Sequence, residues 1–265
     1  MPAAITFDFG NTLVAVDRPR LRQVVELTAK AVSEHLGPFD LWAYLVAWDE
    51  ERARQFREEV PRFREVDLSD RLVRVLARLR GMTAPPADEP WDDAAAAMLS
   101  TPDEVAWAIA RYADVFVAVL PPDPPIGAVL SALAERSTLA ILSNWPHATA
   151  VDRYVEAAGW QRHFDAVVVS QRVGTIKPHP TIFAAARAAL GEPAADAILH
   201  VGDDWAADVV GAKDAGWRAA WLRTRPDDTP LPTSERDERA VPDLEIDRLD
   251  ELLALVGEGS GSAAR

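Results

Sequence analysis

An aspartate placed directly after a short apolar, β-favouring run is the first residue of this chain equipped for chemistry. Ile5-Thr6-Phe7-Asp8-Phe9 delivers that carboxylate, and Gly10-Asn11-Thr12 breaks the strand behind it. Three later sites share the form, with polar groups at the end of an apolar run. They are Ser143 and Asn144 after Thr138–Leu142, Lys177 in the loop after Ala166–Val169, and Asp203, Asp204 and Asp208 after Ala197–Val201. Two carboxylates about 4 Å apart repel by about 4 kcal/mol at an effective dielectric of roughly 20. Several of them cannot share a pocket in ionised form with one lysine as counter-charge. A hard divalent ion suits such oxygen donors, and Mg²⁺ typically takes one or two carboxylates plus water and substrate phosphate. A hydroxyl, free backbone N–H groups and a lysine supply donors for a tetrahedral anion. Carboxylate nucleophile, Mg²⁺ and anion cradle together point to phosphoryl transfer.

The elements that position these groups follow from pattern. Short apolar strands at 138–142, 166–169, 197–201 and 218–222 alternate with helices at 126–136, 148–158, 182–190 and 206–215. This alternation predicts a parallel sheet covered on both faces, with the four polar strand ends on one edge, where such sheets bind ligands. Between the first strand and residue 117 the pattern is helical throughout: 21–36, 39–63, 68–80, 92–100 and 102–117. Thr101-Pro102-Asp103-Glu104 has the form of a helix start, with a capping hydroxyl, an early proline and acids in the first turn. The predicted architecture is an α/β, Rossmann-like parallel core formed by residues 1–16 and 118–265, interrupted by an all-helical domain over 17–117. Leu120-Pro-Pro-Asp-Pro-Pro125 is the stiff return connector. Residues 224–242 read as a loop or partly ordered arm, 247–256 as a short amphipathic helix and 257–265 as a disordered end.

Composition narrows the partners. The 265-residue chain carries a formal net charge of −14, which argues against a nucleic-acid partner. It has no cysteine, so disulfides and thiolate chemistry are excluded. No apolar run approaches a membrane span, and no basic-then-apolar leader opens the sequence, so a cytoplasmic protein is expected, as monomer or homodimer. Lys30, Lys177 and Lys213 are the only lysines in an arginine-rich chain.

Four segments in order, DFGNTL at 8–13, LSN at 142–144, GTIKPHP at 174–180 and VGDDWAADVVGAKDAG at 201–216, resemble the motifs of the haloacid dehalogenase superfamily of hydrolases. The helical segment is similar in position and character to that family's C1-type cap. The resemblance implies a Mg²⁺-dependent phosphatase acting on a small phosphorylated metabolite. Asp8 would form an aspartyl-phosphate. Asp8, Asp203 and the Gly10 backbone carbonyl would bind Mg²⁺. Ser143 and the Asn144 amide would hold phosphate oxygens, and Lys177 would neutralise nucleophile and phosphoryl group. Asp208 or Asp204, with Thr12, would stand behind these, supporting the metal or orienting Lys177.

One position departs from the pattern. The family's phosphatases carry a second Asp two residues after the nucleophile, as acid and base toward the leaving oxygen and the water; here it is Gly10. Positioned acid–base catalysis is worth roughly 10²–10⁴ in rate. His147, His179 and Asp17 are the replacements the sequence offers. The alternatives are a weakened relative that binds or regulates, and a metal-independent 2-haloacid dehalogenase, whose family members also lack the second Asp but usually replace the acidic fourth motif kept here. Arg18, Arg20 and Arg22, just past the first hinge, could reach an anionic substrate, but a solvated, charged helix start is the expected reading.

Overall fold

The computed structural model describes residues 2–257. Among them, strands β1 (Ala4–Phe7), β2 (Thr138–Ser143), β3 (Ala166–Val169), β4 (Ile198–Gly202), β5 (Arg218–Leu222) and β6 (Leu244–Ile246) form one sheet in the order β3-β2-β1-β4-β5-β6. Every pairing is parallel. The chain lays β2 and β3 to one side of β1, then crosses back to place β4, β5 and β6 on the other. β1 therefore lies at the point where strand order reverses, and the crevice of such a sheet opens beyond the carboxyl ends there. In register, Phe7 faces Ile141 on β2 and Val201 on β4, so Asp8 emerges level with the ends of both neighbours. The strands are apolar along both faces because helices cover both.

Between β1 and β2 come α1 (Arg18–Leu36), α2 (Leu41–Glu58), α3 (Leu68–Leu79), α4 (Asp93–Ala97), α5 (Pro102–Val119) and α6 (Pro124–Ala134). The first five make up the helical cap. Its helices start where a side chain satisfies the orphan N–H groups. Asp17 accepts from the Arg20 N–H at 2.7 Å, and Asp40 from the Ala43 N–H at 2.7 Å. At α5 the Thr101 hydroxyl accepts from Glu104 N at 3.2 Å, while Glu104 accepts from Thr101 N at 2.8 Å. The stretch predicted as one helix over 39–63 is shorter. Asp40 sets its start, and Pro61 turns its end into a 3-10 turn at Val60–Arg62.

The cap is sewn to the core by aromatic packing. Phe9, just past β1, meets Phe116 of α5, Trp145 after β2 and Tyr154 of α7 (Ala148–Ala157) at centroid separations of 6.3, 5.3 and 5.3 Å. The remaining helices are α8 (Ser170–Val173), α9 (Pro180–Ala189), α10 (Gly211–Asp214) and α11 (Ala254–Gly257). The helix expected over 206–215 is a π-helical turn at Trp205–Val210 continued by α10. Strand β6 lies in a stretch not predicted to be extended, and the expected helix over 247–256 is largely a 3-10 turn at Leu249–Leu253. The end predicted to be disordered lies, apart from Gly257, outside the described residues. No single described helix is long and apolar enough to cross a membrane.

Candidate active site

The ends of β1, β2 and β4 and the loop after α8 converge on one buried cluster. The Asp8 carboxylate accepts from the Ser143 hydroxyl at 2.9 Å and the Lys177 ammonium at 2.7 Å. Lys177 Nζ also donates to Asp208 at 2.6 Å and to the Leu142 carbonyl at 2.9 Å, so all three of its protons are taken. Burial alone would lower the lysine pKa, but Asp208 and Asp8 outweigh it and hold the ammonium firmly protonated. Asp208 is held well below the usual carboxylate range: burial would raise it, and Lys177 and His200 overcome that. Asp8 is pushed up to about 6, chiefly by burial, against the pull of Lys177.

Asp208 reaches this position because residue 202 has no side chain. A Cβ on Gly202 would fall 2.2 Å from the Asp208 carboxyl carbon. His200 is buried and backs the same carboxylate. Its Nε2 lies 3.0 Å from Asp208 and its Nδ1 2.8 Å from the Thr6 hydroxyl. Burial lowers the His200 pKa, so the neutral ring donates from Nε2 to Asp208 and accepts from Thr6 at Nδ1.

Asp203 stands beside these groups with no ammonium of its own. Burial, then the charges of Asp8, Asp208 and Asp204, push it up to about 8. Arg225 approaches it at 3.8 Å and the Asn11 amide at 3.4 Å. Oxygens of Asp8, Asp203 and Asp208 lie within 4.8 Å of one another, an arrangement able to hold a metal ion. Asp208 is committed to Lys177, His200 and the Asp204 N–H, which leaves Asp8 and Asp203 with free oxygens for a cation.

Asn144 and Asp204 line the cavity above this cluster and also brace its surroundings. Asn144 clamps the Lys177 backbone, accepting from its N–H at 2.7 Å and donating to its carbonyl at 3.1 Å. The Asp204 side chain caps the π-helical turn through Ala207 N at 2.8 Å and accepts from Ser234 N and Oγ at 2.7 and 2.8 Å. Thr12 is buried with an unpartnered hydroxyl and does not line the cavity. Neither do His147, His179 or Asp17. His179 and Asp17 start helices, and burial of His147 pushes its pKa down to about 4.

Over the cluster lies a cavity of about 300 Å³ between sheet edge and cap, and sequence reasoning missed much of its wall. Arg52, Phe56, Glu65, Arg71 and Tyr112 enter from the cap. Arg18, Arg20 and Arg22 do not reach it, and Arg22 instead pairs with Glu26 and Asp49. The arm after β5 forms another side. Its Thr229 hydroxyl accepts from the Asn11 amide at 3.0 Å, its Pro230 carbonyl accepts from Arg52 at 2.8 Å, and Leu231 sits on Gly10. A Cβ at position 10 would lie 2.6 Å from Leu231 Cδ1, so glycine is the residue that fits there. Cap residues 63–68 dock on the core at several points. Ile176 N donates to the Phe63 carbonyl at 3.1 Å, Leu68 N to the Pro146 carbonyl at 3.0 Å, and Ser170 to Glu65.

A model of the haloacid dehalogenase-like hydrolases matches residues 2–216. The chain belongs to that family. A glyceraldehyde 3-phosphate phosphatase of Methanopyrus kandleri is 33% identical over 158 residues, 59% of this chain and 66% of that protein. The pyrimidine 5'-nucleotidase YjjG of Escherichia coli is 28% identical over 145 residues, 55% of this chain and 61% of that one. The matched stretches thus span less than two thirds of these relatives. Among solved structures, a 2-haloacid dehalogenase from Pseudomonas syringae superposes with a TM-score of 0.67 at 23% identity, covering 97% of this chain and 99% of its own. A phosphatase of the same superfamily from Thermococcus onnurineus gives 0.58 at 21%, covering 97% and 98%. At these identities the likeness is one of fold.

Proposed function

We propose that this member of the haloacid dehalogenase-like hydrolases is a phosphatase that cleaves a small phosphorylated metabolite through an aspartyl-phosphate on Asp8. The sheet with α6 to α11 forms its catalytic core, and α1 to α5, inserted after β1, its cap. The observation that carries the reading is a buried carboxylate facing the cavity with a hydroxyl at 2.9 Å and an ammonium at 2.7 Å. Its oxygens neighbour two further carboxylates.

In the first step an Asp8 oxygen attacks phosphorus. The bond to the ester oxygen breaks, and its electron pair stays on that oxygen, which takes up a proton. Water then attacks the aspartyl-phosphate, loses its proton, and releases phosphate with Asp8 restored. Ser143 and Lys177 would turn the donors they now give to Asp8 towards the phosphoryl oxygens, and Asn144 fixes the backbone from which Lys177 extends. Asp208, backed by His200, holds the Lys177 ammonium in place. The clustered acids fit Mg²⁺: Asp8 and Asp203 with the Gly10 carbonyl would hold it. Bound there, it would offset the charge of carboxylates and phosphate together.

The proton for the leaving oxygen cannot come from residue 10. Glu65 is the carboxyl that the cap contributes to the cavity wall, and burial raises its pKa. With the oxygen that accepts from Ser170 protonated and turned into the cavity, it would be the proton donor to poor leaving groups.

Phosphate release from an aryl phosphate tests the proposal. It should require Mg²⁺ and vanish in Asp8→Asn. Metal-independent halide release from a 2-haloacid would replace the reading with carbon–halogen hydrolysis. Mg²⁺ and phosphate binding without turnover would make the protein a binding module.

A further inference from the structure

Three arginines of the cap are buried to within a few per cent of full enclosure: Arg54, Arg71 and Arg74. Two of them meet carboxylates. Arg54 has Glu51 at 3.5 Å and Glu58 at 3.6 Å, and Arg74 has Asp93 at 2.8 Å. Arg71, only 4% exposed, has no carboxylate within 4.0 Å among the described residues. Its Nε donates to Gln55 at 2.9 Å, and its guanidinium lies 5.1 Å from the Trp48 ring centroid. No described residue accepts a hydrogen bond from either Nη, and the side chain lines the cavity above Asp8.

Burying a guanidinium without an anion is costly, and arginine stays charged rather than shed its proton. Burial does press on it, lowering its pKa to about 10. Glu65 stands in the same wall and its charge attracts Arg71 from a distance, but the two make no ion pair within 4.0 Å, and the Glu65 oxygens accept instead from the Val66 N–H and Ser170. Arg52 repeats the pattern at the same wall: burial lowers its pKa, and the hydrogen bond it makes is to the Pro230 carbonyl. Phe56 and Tyr112 supply apolar surface beside them. One cavity therefore carries the acid cluster with Lys177 at its floor and two cations, Arg71 and Arg52, on the cap side.

We infer that the substrate is bifunctional: a phosphomonoester whose far end carries a second oxyanion, seated against the paired donors of Arg71 with Arg52 alongside. A planar carboxylate or a second phosphate would satisfy the guanidinium fork. The cavity of about 300 Å³ is at the lower limit of metabolite pockets and favours a short chain between the two anions. This rests on the phosphatase reading for what happens at Asp8, but not for the binding itself.

Equilibrium binding tests it separately from turnover. In calorimetry with the wild-type protein and Mg²⁺, an ω-carboxyalkylphosphonate series and the matching bisphosphonates are compared with alkylphosphonates of equal length. A hydrogen-bonded charge is worth roughly ten- to hundredfold in affinity. At the best length, one bifunctional class should bind tighter by that factor. Whichever gains more, carboxylate or phosphate, identifies the distal group. Arg71→Met should abolish the gain while leaving alkylphosphonate affinity unchanged, and Arg71→Lys should restore part of it. Equal affinity of mono- and bifunctional ligands in the wild type, or a gain that survives Arg71→Met, overturns the inference. Tight bifunctional binding with no phosphate released from any ester overturns the phosphatase reading and upholds this one.

Discussion

A carboxyl side chain placed at position 10 probes the cavity wall directly. A Cβ there falls 2.6 Å from Leu231 Cδ1 and 3.0 Å from Trp145 Cζ3. Trp145 is 3% exposed and wedged edge-on against Phe9 and Phe116, so it holds its place. Leu231 is half-buried on the arm and is the side that yields. Overpacking of this kind costs about 1–3 kcal/mol. Gly10→Asp is therefore expected to lower the unfolding free energy by that amount in urea titration. Leu231→Ala in the same chain should recover most of the loss, giving a double-mutant coupling of about 1 kcal/mol or more. The doubly substituted enzyme should also hydrolyse an alkyl phosphate at least about 10²-fold faster than Leu231→Ala alone, because a positioned acid is restored. Additive stabilities, within about 0.5 kcal/mol, would refute the claim that Leu231 closes position 10. Coupled stabilities without a gain in rate would show that proton delivery does not limit turnover.

Other outcomes follow from the same geometry. Glu65→Gln should slow an alkyl phosphate by about tenfold or more and leave an activated aryl phosphate unchanged; equal effects on both remove Glu65 from proton transfer. Asp208→Asn leaves the Lys177 ammonium one partner short in a buried site, and a loss of about 3–5 kcal/mol in chemical denaturation is expected. The His147 pKa drops from 6.5 to about 4 on folding, so the ring is buried neutral. Protonation favours the unfolded chain: stability is full above pH 6.5 and is lost as pH falls towards 4. Between pH 7.5 and 4.5 this group accounts for roughly 2–3 kcal/mol of lost stability, a difference that should be missing from His147→Gln in paired urea titrations. Phe116→Ala, removing a fully buried ring between cap and core, should cost about 3–5 kcal/mol.

The residues legible in the sequence were those bound to strand ends. Asp8, Ser143, Lys177, Asp203 and Asp208 each close an apolar run or sit in the loop beyond one, and a parallel sheet brings such ends together whatever the cap does. Arg52, Glu65, Arg71 and Leu231 had no such anchor. Arg52 and Arg71 lie on helices that also carry Arg54, Arg74 and Arg78, which pair with acids, and only the packed structure separates these from Arg52 and Arg71. The arm over 224–242 was opaque for a related reason. Its order comes from distant partners, such as Asn11 for Thr229 and Asp204 for Ser234, and not from local periodicity. Asp204 shows the limit in the other direction. Its position in the acidic motif suggested a share in the site, yet its carboxylate is spent on a helix start and on Ser234.

The arm also bears on how the protein is made. Asp8 leaves the ribosome long before Thr229, Leu231 and Ser234. The bond from Asn11 to Thr229 closes a separation of 218 residues, and that from Asn11 to Asp203 one of 192. Contacts of such span form late, because the intervening chain must first be ordered. A nascent chain that has completed β5 already holds the acid cluster and the cap but lacks the wall over Gly10. Until the arm over 224–242 folds back, the Asp8 carboxylate faces a cavity open on one side, so the wall over Gly10 closes only after that arm has emerged.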